Sequence, residues 1–340
     1  MLEVVIISSI KVLVVISVVL FGCAYATWLE RKVLGHMQHR IGPLYAGPHG
    51  LLQPIADAVK LIFKEEIIPD KVERATYALA PMISFIPAVL TFAVVPFGVD
   101  GSILGHEVKM VISDLNIGIL FVFAITSLGV YGIVLAGWSS GSKYSLMGGI
   151  RSSAQMISYE ISYGLSIIGV ILIAGTLSLT ELVTQQGSTS IWFFANWFIL
   201  KQPLGFLLYV ICAVAETNRL PFDLPEAESE LVAGYMTEYS SMRFSMFFVS
   251  EYANMIAVAC VGVTLFLGGW QGPFIDTMPW LAMVWFMAKV IFWMFCYIWL
   301  RATFPRFRYD QLMAFGWKVL LPVALFNTMA TALAVTLGWL

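Results

Sequence analysis

The sequence has little of what a metal centre, a redox centre or a nucleotide site requires. Its four cysteines stand far apart within apolar segments, and its four histidines form no set with the spacing of metal ligands. We therefore expect no metal and no iron–sulfur cluster on this chain, and we interpret the cysteines as small buried apolar residues. The GxGxxG and P-loop fingerprints are also missing, so no nucleotide-binding fold is indicated and no nucleic-acid partner is expected.

Charge is scarce as well. Charged residues make up 12% of the 340 residues and apolar residues 59%, with a net charge of −2. Soluble domains are about half apolar and a quarter charged. Several apolar runs reach the roughly 20 residues that cross a bilayer as a helix, whereas the alternation typical of a membrane β-barrel is missing. The composition predicts an all-α, polytopic membrane protein.

The apolar runs predict about eight membrane spans in one integral membrane domain, residues 1–340. The first run is too long for a signal-peptide core and ends in Trp28-Leu-Glu-Arg-Lys32, so we expect it to remain in the protein. The fifth begins near Pro203, since proline suits the first turn of a helix. The predicted spans are 4–27, 77–97, 116–138, 156–176, 201–218, 249–269, 280–300 and 319–339.

Lysine and arginine are concentrated in alternate connections. Most of the 19 basic residues lie in four of them, whereas the opposite connections contribute Lys109 alone. Under the positive-inside rule the basic connections face the cytoplasm, and both termini face the periplasm. The four predicted cytoplasmic loops are 28–76, 139–155, 219–248 and 301–318.

The first of these loops contains a segment with two faces. Residues 51–64 place apolar side chains at helical spacing, with Asp57, Lys60 and Lys64 off that stripe. The pattern predicts an amphipathic helix that lies in the membrane interface. A plain surface anchor is one interpretation. The other is the wall of a pocket open to lipid, through which a hydrophobic substrate enters.

An acidic segment interrupts the apolar sequence. Residues 216–251 hold seven of the chain's 21 acids. Charged groups beside lipid are rare and usually functional. The acids are Glu216, Asp223, Glu226, Glu228, Glu230, Glu238 and Glu251.

The spacing of these acids predicts local structure. Asp223 and Glu226 have the spacing of a capping box, which predicts a helix over about 224–239. On that helix Glu226 and Glu230 share a face, where like charges repel and proton exchange near neutral pH becomes easier. A solvated acidic loop is the plainer interpretation. Because acids also end the fifth span and open the sixth, a proton-handling or switch site is favoured.

Three further charged residues stand within spans or at their ends. Glu160 lies about one turn inside span four, and Lys289 lies near the middle of span seven. A charge at a helix centre costs about 2.5–3.5 kcal/mol on insertion scales, so we expect each to face a partner or water. Arg301 opens a basic segment after span seven. Anchoring explains most of that segment, and an arginine partner for the acidic loop is the sharper hypothesis.

Four long segments resemble the signatures of one family, the H-type membrane subunits of proton-translocating NADH–quinone oxidoreductase, or respiratory complex I. The mitochondrial counterpart is NADH dehydrogenase subunit 1. The resemblance runs in order from about residue 20 to the C-terminus. The segments begin WLERKVLGHMQHRIGP at 28, GGIRSSAQMISYEIS at 148, AETNRLPFDLPEAESE at 215 and RATFPRFRYDQLMAFGWK at 301.

The resemblance implies a membrane subunit of a translocase, without a redox centre of its own. It implies quinone as substrate, no cofactor bound by this chain, and FMN and iron–sulfur clusters on partner subunits. The implied partners are the other membrane and hydrophilic-arm subunits, quinone and the lipid bilayer. The implied location is the bacterial inner membrane, which is favoured over the mitochondrial one.

The resemblance also assigns residues, none of them to redox catalysis or to a metal. The first-loop motif of the quinone chamber and its entrance matches Glu30, Arg31, Arg40 and Asp57. The flexible loop of the acidic funnel matches Glu216, Arg219, Asp223, Glu226, Glu228 and Glu230. The intramembrane carboxylates match Glu160 and Glu251, and the basic end of span seven near the quinone tunnel matches Arg301. We expect Lys289 to join the carboxylates in the coupling path.

Three alternatives remain open at this point. The chain could be an ion or solute transporter acting alone, although the charge lies on one side rather than at a midplane site. It could be the homologous membrane subunit of a hydrogenase or of a dehydrogenase with another electron donor. It could also be a structural anchor for a soluble arm.

Overall fold

The computed structural model describes residues 2–103, 106–187, 196–223, 231–275 and 277–339. This part of the chain is a helical bundle with one small hairpin, which confirms the predicted all-α class. The hairpin pairs β1 (Gly101–Ile103) antiparallel with β2 (His106–Val108). The helices are α1 (Leu2–Met37), α2 (Gln53–Phe63), α3 (Arg74–Leu90), α4 (Gly118–Ser139), α5 (Lys143–Ala174), α6 (Leu179–Gln185), α7 (Phe198–Lys201), α8 (Pro203–Glu216), α9 (Ser241–Phe266), α10 (Leu281–Thr303), α11 (Tyr309–Phe315) and α12 (Leu321–Thr336).

Seven helical stretches of the described residues are long and apolar enough to cross a membrane. They are Val5–Met37, Arg74–Val94, Gly118–Ser139, Lys143–Ala174, Ser241–Phe266, Leu281–Thr303 and Tyr309–Thr336. The fifth predicted span corresponds to α8, which has 14 residues. At 1.5 Å per residue α8 is about 21 Å long, shorter than a hydrocarbon core of about 30 Å. The count of about eight spans and the orientation of the termini stay predictions.

Three of the helical stretches begin well before the spans predicted for them, the last of them at Tyr309 rather than 319. α5 begins at Lys143 rather than 156, and α9 begins at Ser241 rather than 249. Much of the predicted loop 139–155 and the end of loop 219–248 are therefore helical. The reason is tertiary packing, because the first turns of α5 bury Ser145, Ser152 and other small polar residues that hydropathy assigns to a loop. α1 likewise continues ten residues beyond 27, to Met37.

The predicted helix over 224–239 does not continue beyond Leu231. Residues 224–230, including the capping partner Glu226, lie outside the described residues. Beyond them, Val232 and Gly234 adopt left-handed backbone conformations with φ of 66° and 55°, and Gly234–Met236 forms a single 3-10 turn. A Cβ on Gly148 of α5 would lie 2.7 Å from Gly234 Cα. The segment therefore turns to pack backbone against backbone on α5.

The predicted amphipathic helix is present as α2. Its apolar residues Ile55, Val59 and Ile62 are about half exposed. Asp57 is turned to the bundle, where it pairs with Arg31 of α1 at 2.7 Å between Oδ2 and Nη1, whereas Lys60 and Lys64 are exposed. The apolar stripe of α2 is thus free to contact lipid or a hydrophobic molecule.

Candidate functional site

Four charged side chains from distant parts of the chain meet at one end of the bundle. Glu30 of α1 accepts a hydrogen bond from Arg301 of α10. Arg219, three residues after α8, lies 3.6 Å from Glu30 and 4.0 Å from Glu251 of α9, measured between Nη and Oε2 atoms. We call Glu30, Arg219, Glu251 and Arg301 the ion cluster. It contains two carboxylates and two guanidinium groups, so its formal charges balance.

The ion cluster is buried except at one edge. Glu30 and Arg219 are 5% and 7% exposed, whereas 30% of the Arg301 side chain is accessible. The hydroxyl of Tyr252 donates to Glu30 at 2.6 Å, and the Arg219 guanidinium lies 4.4 Å from the centre of the Tyr252 ring. A charge that arrives next to Arg301 therefore acts on the inner groups through a low-dielectric interior.

A turn after α8 positions Arg219. Asn218 takes a left-handed conformation with φ of 49°, which ends the helix. Gln155 of α5 holds this turn, since its Nε2 donates to Ala215 O at 2.9 Å and to Phe222 O at 2.8 Å. Gln155 is fully buried. Sequence reasoning missed Gln155, because it was the last residue of the predicted loop 139–155, whereas α5 begins at Lys143.

Replacing Gln155 by leucine should loosen this turn. The substitution keeps the side-chain size but leaves the carbonyl groups of Ala215 and Phe222 without their donor, which destabilises by about 1–3 kcal/mol. We expect a lower melting temperature of the assembled complex in a thermal-shift measurement. Ser153→Ala, at an exposed position of the same helix, is the control and should leave the melting temperature unchanged. Equal stability of the Gln155→Leu protein and the parent would contradict this role.

A second group of carboxylates lies next to the ion cluster. Glu216, the last residue of α8, is 4% exposed, and its Oε2 has no hydrogen-bond partner among the described residues. Glu160 of α5 accepts a hydrogen bond from Ser127 of α4. Glu160 and Glu216 are near enough for their charges to interact. Two acids predicted from separate spans are thus brought together.

A small polar cavity of about 40 Å³ connects the two groups. We call it the carboxylate cavity. A cavity of this size and polarity has room for an ordered water. The Ser84 and Ser250 hydroxyl groups within it lie 2.9 Å apart. Its polar lining includes Ser84, Thr126, Glu216, Ser250, Glu251 and Asn254. Glu251 therefore belongs both to the ion cluster and to the carboxylate cavity.

The start of the acidic loop is tied to the segment after α10. Asp223 accepts from Arg306 at 3.0 Å, and the Phe307 amide donates to Pro221 O at 3.2 Å. This confirms the hypothesis of an arginine partner for the loop, with Arg306 in that role, while Arg301 pairs with Glu30. The predicted site residues Glu226, Glu228 and Glu230 lie outside the described residues.

The first-loop residues form a separate group. Asp57 accepts from Arg31 and, at 3.1 Å, from Gln53 of its own helix. These contacts fasten α2 to the end of α1. Arg40 is exposed, and its side chain contacts Gln38 at 2.7 Å. Of the predicted chamber residues, the structure brings Glu30 into the ion cluster and leaves Arg31, Asp57 and Arg40 nearer the surface.

Lys289 faces partners as predicted, but not the carboxylates. Its ammonium group donates to Leu267 O, Gly269 O and Gln271 O at 2.6, 2.9 and 2.6 Å. These carbonyls follow α9, whose C-terminal end attracts a cation. α9 ends at Phe266, 15 residues or about 22 Å from Glu251. The structure does not bring Lys289 together with the coupling carboxylates.

These features define a multi-pass helical membrane protein with a buried ion cluster next to a carboxylate-lined cavity. The family model described as NADH dehydrogenase matches residues 10–332. The chain is 54% identical to the second H-type subunit of NADH-quinone oxidoreductase from Geobacter metallireducens, over 96% of this chain and 95% of the relative. It is 52% identical to the H-type subunit of NADH-quinone oxidoreductase from Thermomicrobium roseum, over 96% of each. The chain belongs to this NADH dehydrogenase family, which confirms the resemblance found in the sequence.

Proposed function

We propose that this chain is the membrane subunit that forms the quinone chamber of NADH–quinone oxidoreductase and couples quinone reduction to proton translocation. The names of the relatives support the complex, the quinone and the presence of other subunits as partners. They favour NADH and quinone over a hydrogenase or another electron donor. The observation that carries the coupling proposal is that Glu251 lies in both the ion cluster and the carboxylate cavity.

The chamber is proposed at the end of the bundle where α1 packs against α2, α9 and α10. A quinone with a long apolar tail needs an entrance open to lipid, and the exposed apolar stripe of α2 suits one side of it. The Arg31–Asp57 ion pair holds α2 against α1. Arg301, the accessible member of the ion cluster, is the group nearest to such an entrance and senses charge there.

Quinone reduction changes charge at this position. Quinone takes up two electrons, supplied by the flavin and iron–sulfur clusters proposed on partner subunits, and two protons to give quinol. Negative charge that develops near Arg301 weakens the ion pair between Arg301 and Glu30. The strength of the Arg219–Glu30 ion pair relative to the Arg219–Glu251 ion pair then changes. As a result, the affinity of Glu251 for a proton changes. A water in the carboxylate cavity passes that proton to Glu216, and Glu160 responds through its charge.

The acidic loop is proposed as the moving part of this coupling. Its described start is held by the Asp223–Arg306 pair. Protonation of Glu226, Glu228 or Glu230 changes the net charge of the loop. The loop thereby converts a change of protonation into a change of position.

Charge-neutral variants of the loop test this part of the proposal. Glu228→Gln or Glu230→Gln should lower quinone-linked proton pumping of the assembled complex several-fold, because one titrating group of the loop is lost. The measurement is proton uptake by proteoliposomes per NADH oxidised. Glu238→Gln, in the same segment but with no ion pair among the described residues, is the matched control. Unchanged turnover and pumping in both loop variants would remove the loop from the mechanism.

Localisation follows from the same family membership. The chain is a multi-pass membrane protein, and the relatives named above are bacterial. We place it in the bacterial inner membrane, with the basic connections on the cytoplasmic side.

A further inference from the structure

A long apolar groove runs along the outside of the bundle between α1 and α10. It encloses about 490 Å³. Val14, Val18 and Phe21 of α1 line one wall, Met287 of α10 lines the other, and Ile256 of α9 lies at the base. None of these residues belongs to the ion cluster or to the carboxylate cavity. The groove is therefore separate from both of those sites.

The charged groups of the groove are both at one end. Lys11 of α1 and Lys109, just after β2, line it, and no acid does among the described residues. Lys109 is 62% exposed and lies 3.4 Å from Asp114, while Lys11 has no ion-pair partner within the described ranges. Lys11 precedes Glu30 by 19 residues of one helix, about 28 Å. The positive end of the groove is thus at the opposite end of the bundle from the ion cluster.

We propose that this groove binds a phospholipid with an anionic headgroup, whose phosphate contacts Lys11 and Lys109. Half of a hydrocarbon core is about 15 Å thick. From Lys11 to Gly22 the helix rises about 16 Å, so an acyl chain anchored at the lysines lies over Val14, Val18 and Gly22. Gly22 deepens the groove because no side chain projects there; a Cβ would meet Ile256 Cδ1 at 3.4 Å. Two cations at a membrane surface attract an anionic lipid.

A quinone tail fits this charge pattern less well. Near the opposite end of the groove Trp28 already donates its indole N–H to His49 O at 3.3 Å. A quinone with its headgroup at this end, where Leu29 also lines the groove, would make no use of the two lysines. A neutral headgroup gains little from two ammonium groups, whereas a phosphodiester gains a charge-assisted contact.

The test uses the purified, assembled complex, stripped of loosely bound lipid and titrated with phosphatidylglycerol or phosphatidylcholine in detergent. Native mass spectrometry counts the retained lipids. Lys11→Gln should weaken phosphatidylglycerol retention about five-fold, as expected for loss of one membrane-surface cation, and leave phosphatidylcholine unchanged. Lys201→Gln, an exposed lysine outside the groove, is the control. Equal phosphatidylglycerol retention by the Lys11→Gln complex and the parent would overturn the proposal.

A second variant separates the possible occupants. Val18 is 40% exposed and lines the groove, so Val18→Trp fills it without disturbing the core. We expect the complex to lose one tightly retained phospholipid and to keep its KM for quinone. A raised KM for quinone with unchanged lipid retention would assign the groove to the quinone tail. Loss of another subunit from the complex would assign it to a protein contact. Either result would overturn the proposal.

Discussion

Replacing Arg219 by leucine should prevent stable assembly of the complex or sharply lower its melting temperature. Arg219 lies between two carboxylates, at 3.6 Å from Glu30 and 4.0 Å from Glu251. Without it the buried cluster holds two negative charges against the single remaining cation, Arg301. Removing one partner of a buried ion pair costs about 3–5 kcal/mol, because the remaining charge is left in a low dielectric. The measurement is the yield and melting temperature of the purified complex.

A surface ion pair provides the matched control. Arg308 lies 3.2 Å from Asp310, and both side chains are mostly exposed. Exposed pairs contribute about 0–1 kcal/mol, so Arg308→Leu should change the melting temperature little. Should the Arg219→Leu and Arg308→Leu complexes prove equally stable, the ion cluster would not be the buried, mutually dependent group described above. The double variant Arg219→Leu with Glu251→Gln should recover part of the stability, since one unpaired charge is removed with it.

Glu251→Gln should abolish most of the coupled activity while the complex still assembles. The substitution keeps the size of the side chain and removes the titrating group shared by the ion cluster and the carboxylate cavity. A positioned proton-transfer group contributes about 10²–10⁴-fold to rate, so we expect quinone-linked NADH oxidation and pumping to fall about a hundredfold. NADH oxidation by a water-soluble electron acceptor that bypasses quinone should keep the parental rate, because this chain is proposed to hold no redox centre.

Two comparisons separate a coupling role from a structural one. Glu181→Gln, at the start of the short helix α6 and outside both the ion cluster and the carboxylate cavity, should leave quinone-linked activity unchanged. Glu251→Asp keeps a titrating carboxyl and should restore part of the pumping. If Glu251→Gln retained the parental rate and pumping, the structural-anchor interpretation would be favoured.

The helices were predictable because the signal for them is local. An apolar run of sufficient length specifies a membrane helix whatever its neighbours are. Boundaries were less predictable where polar residues pack against another part of the chain. The first turns of α5 are an example, since Ser145 donates to Tyr235 O at 3.0 Å across 90 positions of sequence. A hydropathy profile contains no information about such a contact, so the span predicted from it begins too late.

The candidate site was predictable residue by residue but not as an arrangement. A charge within or at the end of an apolar segment is unusual, and this identified Glu160, Glu216, Glu251 and Lys289, whereas Glu30 was assigned through the family resemblance. Which charges meet depends on packing between segments far apart in sequence, as with Glu30 and Arg301, which are 271 positions apart. The grouping of Lys289 with the carboxylates was an expectation from its charge and its place near the middle of a predicted span. The structure instead uses Lys289 to bind the carbonyl groups beyond α9.

Infrared difference spectroscopy of the assembled complex, recorded as quinone is reduced, tests the central claim most directly. The claim is that reduction changes the protonation of Glu251 and Glu216. A protonated carboxyl group has a C=O stretching band that an ionised one lacks. We predict a change in this band on reduction of the parental complex, diminished in Glu251→Gln and in Glu216→Gln. The same band change in the parent and in both variants would contradict the account.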